Sequence, residues 1–375
     1  MKRFIVRIAL LLLAPCTDMM AQLPFRVMSY NVENLFDTSD NPETADEEFL
    51  PAGIRHWTPR RYWHKLRQLA KVITAAGEWQ MPALVGLCEV ENDSVLIHLT
   101  RRSPLANMPI GIDSAQRSAL TPPNNRHRQY PTIGIDSTQR SVSTDTRYAF
   151  ASIPSADRRG LTLALLYQPK RFVYIGHAAI PVRFSGDRHK HTRDLMHAWG
   201  RIETGDTLDV FVCHFPSRYG GKQRSERDRI DAARTLRNAA DSLLRTRRTP
   251  LLLLMGDFND TPKEESIQTI VRSGNYRNLF GHPPRGEVRG SHKYQARWSQ
   301  LDQVIIGGRL TDSDSPMRLR QGSARIFAPG FLLTEDKSWQ GIRPLRTYHG
   351  FKYEGGFSDH LPLIVDFWLH LPTQN

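Results

Sequence analysis

The feature that most constrains this sequence is a set of short apolar runs that end abruptly in polar side chains. The run at 251–255, for example, leads directly into Gly256 and Asp257. Continuous apolar runs of this length are typical of strands that are buried on both faces. Two longer segments, at 57–78 and 225–246, instead carry apolar residues at helical spacing. The alternation of the two patterns predicts an α/β fold.

The segment 57–78 also carries the start and stop signals of a helix. Thr58 is a good N-cap residue, Pro59 suits the first turn, and Gly77 suits the end of the helix. We therefore expect this helix to begin near Thr58 and to end near Gly77.

The rest of the chain shows little sign of division. No Gly/Ser-rich or Pro-rich tract interrupts its 375 residues, so a single domain over 22–375 is the simplest prediction. One local duplication is present, because IGIDSAQRS at 110–118 returns as IGIDSTQRS at 133–141. Two copies are too few for a solenoid. The stretch 107–146 is therefore predicted to be a duplicated surface insertion.

The first 21 residues have the composition of a secretory leader. A basic start with Lys2, Arg3 and Arg7 precedes an apolar run that is too short for a permanent membrane span. We expect export to the periplasm or the exterior, with no transmembrane anchor in the mature chain. A lipoprotein acylated at Cys16 is the less favoured alternative, because Pro15 is unsuitable immediately before such a cysteine.

Composition and charge narrow the class of protein further. Hydrophobic residues make up 39% of the chain, which is a globular and not a disordered composition. The formal charge of +13 favours anionic partners such as nucleic acid or other phosphoesters. Beyond the leader, Cys88 and Cys213 are predicted to be two buried thiols, with a disulfide as the alternative. No repeat or heptad suggests assembly, so we expect a monomer without a stable protein partner.

The polar residues at the ends of the apolar runs have a common chemistry. Strand ends in packed sheets converge on one rim, which is where sites form. Here the rim would gather carboxylate, amide and imidazole side chains, namely Asn31, Glu33, Glu89, His214, Asp257, Asn259, Asp302, Asp359 and His360.

This set of side chains fits the hydrolysis of a phosphoester. The reaction requires neutralisation of the phosphate charge and an oriented water molecule. Glu89, with Asn31 or Asp359 nearby, could hold Mg²⁺ (or Mn²⁺) through oxygen ligands. His360, oriented by Asp302, could accept a proton from water.

The remaining three rim residues would assist the same reaction. Asp257 and Asn259 would fix the attacking water and a phosphate oxygen. His214 could donate a hydrogen bond to the phosphate. Taken alone, each of these residues also has a structural explanation, such as a turn or a satisfied core histidine, so the prediction rests on the whole set.

Six motifs carry a resemblance to a known family. In chain order they are SYNVENLF, GLCEVEN, HFPSRYGG, MGDFNDTP, SQLDQVII and FSDHLPL. Together they resemble the endonuclease/exonuclease/phosphatase (deoxyribonuclease-I-like) superfamily, from about Phe25 to Phe367. The resemblance implies a four-layer sandwich, in which two packed mixed β-sheets are flanked by helices and the active site lies at one rim.

The resemblance also implies roles for individual residues. It places the amide ligand at Asn31, the metal-binding glutamate at Glu89, and the G-D-x-N pair at Asp257 and Asn259. The catalytic histidine of the H-x-P-S strand falls on His214. The remaining matches are the orienting Asp302, the terminal Asp359 and His360, an additional acid at Glu33, and a phosphate-contacting Arg159. Whether His360 or Asp257 is the working base stays open.

These observations predict a divalent-metal-dependent phosphoester hydrolase, most simply a secreted nuclease-like phosphodiesterase. One alternative keeps the fold but changes the substrate to lipid headgroups or small phosphorylated metabolites. An alternative of another class is an inactive binding module of the cell envelope.

Overall fold

A computed structural model describes residues 22–371, apart from 79, 108–146, 155–156, 187–191, 219–220, 283 and 285. The helices are α1 (Pro59–Gly77), α2 (Asp93–Ile97), α3 (Glu226–Thr246) and α4 (Glu265–Val271). The strands of the first part are β1 (Gln22–Leu35), β2 (Leu84–Val90), β3 (Ala149–Ser152), β4 (Thr162–Tyr167), β5 (Phe172–Ile180), β6 (Leu195–Ile202), β7 (Thr207–His214) and β8 (Leu251–Asp257). Those that follow are β9 (Tyr276–Asn278), β10 (His292–Tyr294), β11 (Arg297–Ser299), β12 (Asp302–Gly308), β13 (Met317–Leu319), β14 (Arg325–Ile326), β15 (Leu333–Glu335), β16 (Ile342–Pro344), β17 (Tyr348–His349), β18 (Lys352–Tyr353) and β19 (Leu363–His370).

Two mixed sheets organise the fold. The first sheet has the strand order β13-β19-β1-β2-β4-β3, with β14 also paired to β19. The second has the order β5-β6-β7-β8-β12-β9. Each sheet holds one parallel pair, β1 with β2 and β7 with β8, whereas its other pairings are antiparallel. Smaller ribbons are formed by β10–β11, β15–β16 and β17–β18.

The sheets and helices stack in four layers. Side chains such as Val27 of the first sheet and Leu253 of the second fill one apolar core between the sheets. Helix α1 covers the outer face of the first sheet through residues such as Leu69. Helices α3 and α4 cover the outer face of the second, with Leu236 and Ile267 among the buried residues. The predicted α/β four-layer sandwich is therefore confirmed.

The predicted helix boundaries are also confirmed. Thr58 is the N-cap of α1, and its side chain accepts a hydrogen bond from the Arg61 amide at 3.5 Å. Helix α3 occupies most of the second predicted helical segment. Among the helices of the described residues, none combines the length and the apolar composition of a membrane span. The leader, most of the insertion at 107–146 and Cys16 lie outside those residues.

The two remaining cysteines are buried free thiols. The Cys88 thiol donates a hydrogen bond to the Cys213 carbonyl oxygen at 3.3 Å. Burial raises the pKa of both thiols, so both stay protonated. The interpretation as buried thiols, in preference to a disulfide, agrees with this geometry.

The start of β1 carries a network of paired charges, which we call the arginine end. Buried Arg26 donates two hydrogen bonds to Asp366, at 2.6 and 3.0 Å, and one to the Ala76 carbonyl at 2.6 Å. Its second acid is Glu78, at 2.9 Å, and Arg325 contacts both acids. Each buried charge at this end of the sheets therefore has partners of opposite sign.

Candidate active site

Strand register brings the predicted residues of the second sheet together. Asp257, at the end of β8, is the register partner of His214 at the end of β7 and of Asp302 at the start of β12. In the first sheet, Asn31 pairs with Cys88, the residue before Glu89. The polar rim is therefore a consequence of where neighbouring strands end. We call it the carboxylate end.

The backbone at this end departs from regular strand geometry. Glu33, Asn34, Glu89 and Asn259 have positive φ values of 54°, 49°, 66° and 51°. Residues with side chains seldom adopt this left-handed region, and such strain clusters at functional sites. These conformations interrupt the regular alternation of side chains along the strands.

Gly256 sets the separation of the two central strands of the second sheet. Its φ is 138°, and a Cβ built on it would lie 2.0 Å from the Cys213 carbonyl oxygen. Only glycine tolerates both this φ and this approach. The missing side chain lets β7 and β8 stay paired up to His214 and Asp257.

Asn31 links the two sheets at the centre of the site. Its amide nitrogen donates to Glu89 Oε1 and to Asp257 Oδ2, both at 3.1 Å. Its amide oxygen accepts a hydrogen bond from the Glu33 backbone at 3.0 Å. The other Glu89 oxygen accepts from the Asn34 amide at 2.7 Å. Asn31 thus holds two carboxylates from different sheets beside each other, and its role as a metal ligand stays a prediction.

His360 and Asp302 form the predicted dyad. His360 Nδ1 lies 2.7 Å from Asp302 Oδ2, and its Nε2 lies 3.7 Å from Asp257 Oδ2. Burial by itself would lower the pKa of His360, but the carboxylates of Asp302 and Asp257 outweigh it and raise that pKa well above the ordinary value. Among the described residues, the second oxygen of Asp302 is buried without a hydrogen-bond partner.

His214 faces the same two carboxylates that Asn31 holds. Its Nε2 lies 3.8 Å from Glu89 Oε1 and 3.7 Å from Asp257 Oδ2. Burial, reinforced by the charges of Arg193 and Arg159, lowers the pKa of His214 well below the ordinary value. The buried ring is therefore neutral, and since its Nε2 faces acceptors, we assign the proton to that nitrogen.

Asp257 and Asn259 form a tight turn after β8. The Asn259 amide donates to Asp257 Oδ1 at 2.8 Å, and the Asn259 side chain donates to the Phe215 carbonyl at 3.1 Å. Burial raises the pKa of Asp257 to about 6; the charge of Asp302 acts in the same direction, and that of His360 opposes it. Asp257 is thus a carboxylate that the surrounding protein compensates only in part.

The predicted ligand Asp359 and the additional acid Glu33 share one arginine. Arg346 Nη2 donates to Asp359 Oδ2 at 2.7 Å, and Arg346 Nε donates to Glu33 Oε1 at 3.2 Å. Although burial alone would raise the pKa of Asp359, the charge of Arg346 outweighs it and lowers that pKa. Sequence reasoning missed Arg346, which lies in a loop after a three-residue strand and has no motif of its own.

Two further residues beside the site were also missed. The His292 ring packs against that of His360, with ring centroids 4.8 Å apart and an interplanar angle of 41°, and its Nε2 lies 3.9 Å from Asp359 Oδ2. Lys65 of α1 is buried and donates to Thr347 Oγ1 at 2.5 Å. Burial lowers the pKa of Lys65 to about 8, and the facing carboxylates oppose that shift. The helical position of Lys65 did carry a signal, because it lies three residues after Tyr62 and four before Leu69, on the apolar face of α1.

Arg159 lies at the edge of the site. Its Nη1 donates to the Asn34 side chain at 3.1 Å, and the Asn34 backbone in turn donates to Glu89. Its side chain is about 45% exposed, which leaves the guanidinium accessible from solvent. A phosphate-contacting role is compatible with this place and stays a prediction.

The donor set fits a hard divalent cation. Within the described residues, two groups bring ligand atoms to within 4.8 Å of one another: Asp257, Asp302 and His360, and His292, Asp359 and His360. Glu89 adds a third carboxylate through its shared contact with Asn31. Converging carboxylates with an unpartnered oxygen suit oxygen-seeking ions such as Mg²⁺ or Mn²⁺.

Comparison with known proteins identifies relatives of the whole fold. A family model described as the endonuclease/exonuclease/phosphatase family matches residues 26–118 and 136–368. The unmatched residues 119–135 run from the end of the first copy of the duplicated sequence through the first three residues of the second. Enzymes of that family generally use divalent metals. Among curated proteins, none matches this chain.

Solved structures show the same architecture. A family protein from Bacteroides thetaiotaomicron is 12% identical with a TM-score of 0.52, covering 95% of this chain and 100% of its own. A mannosyl-6-phosphatase from the same organism is 14% identical with a TM-score of 0.53, covering 92% and 99%. A truncated TDP2 from Caenorhabditis elegans is 13% identical with a TM-score of 0.51, covering 92% and 97%. At these identities the likeness shows the fold alone.

Proposed function

Because the chain belongs to the endonuclease/exonuclease/phosphatase family, a superfamily of phosphoester hydrolases, we propose that it is a divalent-metal-dependent phosphodiesterase of the nuclease type. One observation carries the proposal. A single cluster of side chains joins the His360–Asp302 dyad to Asp257, Glu89 and His214, within contacts of 2.7 to 3.8 Å.

The protein's own residues would divide the reaction between them. Asp302 accepts a hydrogen bond from His360 Nδ1–H, which orients the ring. In its neutral form, His360 would then take a proton from the attacking water at Nε2. His214 presents its Nε2 proton to a non-bridging phosphate oxygen, and Asn259 fixes the position of Asp257. A bound divalent cation, with Glu89 as its principal ligand, would supply charge neutralisation at the phosphate.

The identity of the general base is a choice between two neighbours. His360 Nε2 and Asp257 Oδ2 lie 3.7 Å apart, so both can reach the same water molecule. The dyad favours His360, because Asp302 orients its ring. If His360 is the base, its replacement should reduce the rate more than the substitution Asp257→Asn.

The cellular setting and the cation are part of the proposal. We expect Mg²⁺ or Mn²⁺ as the cofactor, because the donors are mainly oxygen atoms. Export of a monomeric protein is supported by the composition of residues 1–21 and by the absence of heptads.

A substrate panel tests the function directly. Purified protein without its leader is assayed on plasmid DNA, RNA, an artificial phosphodiester, sphingomyelin, inositol phosphates and mannose 6-phosphate, with Mg²⁺ or with a chelator. Mannose 6-phosphate is included because one similar structure is named a mannosyl-6-phosphatase. We expect cleavage of nucleic acid and of the artificial phosphodiester, and only with metal.

Other results would select an alternative function. Turnover of phosphomonoesters or of sphingomyelin alone would make the protein a phosphatase, or a phosphodiesterase of lipid headgroups. No turnover on the panel, together with no calorimetric binding of divalent cations, would indicate an inactive envelope binding module.

A further inference from the structure

The β10–β11 hairpin beside the site has two different faces. Strands β10 and β11 pair His292 with Ser299, Lys293 with Trp298, and Tyr294 with Arg297. Cross-strand partners lie on the same face of a ribbon, and successive pairs alternate between faces. Lys293 and Trp298 therefore share one face, and the other two pairs share the opposite face.

The face with Lys293 and Trp298 holds the hairpin against the protein. Lys293 Nζ donates to Asp336 Oδ2 at 2.8 Å, and both side chains are almost fully buried. The same ammonium group donates to the Gln340 carbonyl at 2.8 Å. Trp298 packs against the apolar core beneath α1. The hairpin is thus held in place from one side, which leaves its other face as a fixed surface.

The opposite face runs from the candidate site into solvent. At its base, His292 packs against His360 and forms an isolated backbone bridge with it. At its tip, Tyr294 is 71% exposed, and Arg297 is exposed beside it. The structure gives the Arg297 guanidinium no partner among the described residues. Tyr294 lies two positions after His292 along the strand, which is a distance of about 7 Å.

We propose that Tyr294 and Arg297 form a binding subsite for a single nucleic-acid strand, next to the scissile phosphate. This inference rests on the proposed function and adds to it a subsite that selects a single strand. An aromatic ring provides a stacking surface for any base, and a neighbouring guanidinium contacts the backbone phosphate. The face is continuous with the site through His292, so a strand whose phosphate lies at His360 reaches Tyr294 with an adjoining nucleotide.

The side-chain composition of this face favours a nucleic-acid strand over a lipid surface. A lipid surface would be met by several apolar side chains, whereas this face offers one ring, one guanidinium and small polar groups. The chain as a whole carries a formal charge of +13, which attracts a polyanion.

Binding without catalysis tests the subsite first. The probe is a fluorescein-labelled strand of ten thymidines, and its anisotropy is followed in the presence of a chelator. We expect Tyr294→Ala to weaken binding about 10-fold, and Tyr294→Phe to restore most of the loss. Arg297→Gln should weaken binding about 5-fold and reduce the slope of log Kd against log salt by about 0.7.

Matched controls come from exposed residues elsewhere. Phe351 is 62% exposed on a different ribbon, and Arg248 is exposed before β8, at the strand end opposite the site. Phe351→Ala and Arg248→Gln should each change affinity by less than about 2-fold. Equal losses in the controls would show non-specific adsorption and overturn the inference, as would a wild-type protein that fails to bind the strand.

Catalysis then separates this inference from the proposed function. The ratio of kcat/KM for the ten-thymidine strand to that for an artificial phosphodiester should fall about 10-fold in Tyr294→Ala. If wild-type protein cleaves both substrates while Tyr294→Ala keeps the ratio and the affinity, the subsite is wrong and the function stands. If wild-type protein cleaves neither, the proposed function fails, while the binding data still decide the subsite.

Discussion

The two ends of the same sheets treat buried charge in opposite ways. At the arginine end, Arg26 reaches Asp366, Glu78 and backbone carbonyls, so its charge is fully partnered. At the carboxylate end, Asp257 lies near Asp302 and Glu89. The side chains that contact these carboxylates are imidazoles and the amide of Asn31.

The comparison separates stability from function along a single strand. Strand β1 carries Arg26 near its beginning and Asn31 towards its end. A polar pocket of about 310 Å³ opens at the arginine end, but the guanidinium of Arg26 beside it is already partnered. A buried charge with too few partners of opposite sign raises the free energy of the folded state. Such charges are retained at sites where a ligand or a reaction supplies the missing partner. We therefore expect substitutions at the two ends to affect different measurements.

The largest effect should come from His360→Ala. Loss of a positioned proton acceptor typically reduces rates by about 10²–10⁴-fold. We expect a decrease of this size in kcat/KM on the artificial phosphodiester with Mg²⁺. Far-ultraviolet circular dichroism should confirm that the variant is folded. Rates within 3-fold of wild type in a folded variant would contradict the assigned role.

Arg26→Met should lower stability and leave activity unchanged. It leaves buried Asp366 with one longer contact, to Arg325 at 3.4 Å. Removing one partner of a buried ion pair costs about 3 kcal/mol or more in the free energy of unfolding. Urea denaturation measures the loss, and turnover per folded molecule should stay near wild type.

Arg325→Met provides the matched control for that substitution. The Arg325 side chain is about 34% exposed, so its loss should cost less than about 1 kcal/mol. If both arginine variants lost equal stability, the distinction between a buried and a half-exposed partner at this end would fail.

A pH series sharpens the contrast at the carboxylate end. Because the pKa of Asp257 is raised to about 6, its contribution to stability is present below about pH 4 and is lost as the pH rises through 6. In chelator, wild-type protein should therefore lose roughly 1–2 kcal/mol relative to Asp257→Asn between pH 4 and pH 7. Mg²⁺ should reduce that difference if it binds beside Asp257. A difference that does not change with pH would contradict the raised pKa.

The smallest effect should follow chemical reduction. Cys88 and Cys213 are free thiols, so dithiothreitol should shift Tm by less than about 1 °C. A larger decrease, together with a loss of one intramolecular bridge by mass spectrometry, would support the disulfide alternative.

The fold was predictable where local signals agree with burial. Helix α1 could be predicted from its capping residues, and β7, β8 and β12 from their apolar runs, because a few adjacent residues determine each element. Strand β6 was missed although its burial alternates along the sequence, with Met196 and Ala198 buried and Arg201 exposed. A search for period-two alternation would have found it.

The sequence predicted which strand-end residues belong to the candidate site, but it did not predict the contacts between them. The polar residues that end long strands were identified, and the structure brings His360, Asp302, Asp257 and Glu89 together. Arg346 and His292 could not be identified in this way, because short ribbons position them and tertiary packing alone places them beside the site. For the same reason, no local pattern could show that Asp359 is held by an arginine.

The glycine at 256 has a consequence for attempts to redesign this pocket. A methyl group there would clash with the Cys213 carbonyl and force β7 and β8 apart. The distance between His214 and Asp257 would then increase. The spacing of His214 and Asp257 therefore depends on the absence of a Cβ atom at Gly256. New specificities are best sought in the surrounding ribbons, since the backbone at this position has no room to change.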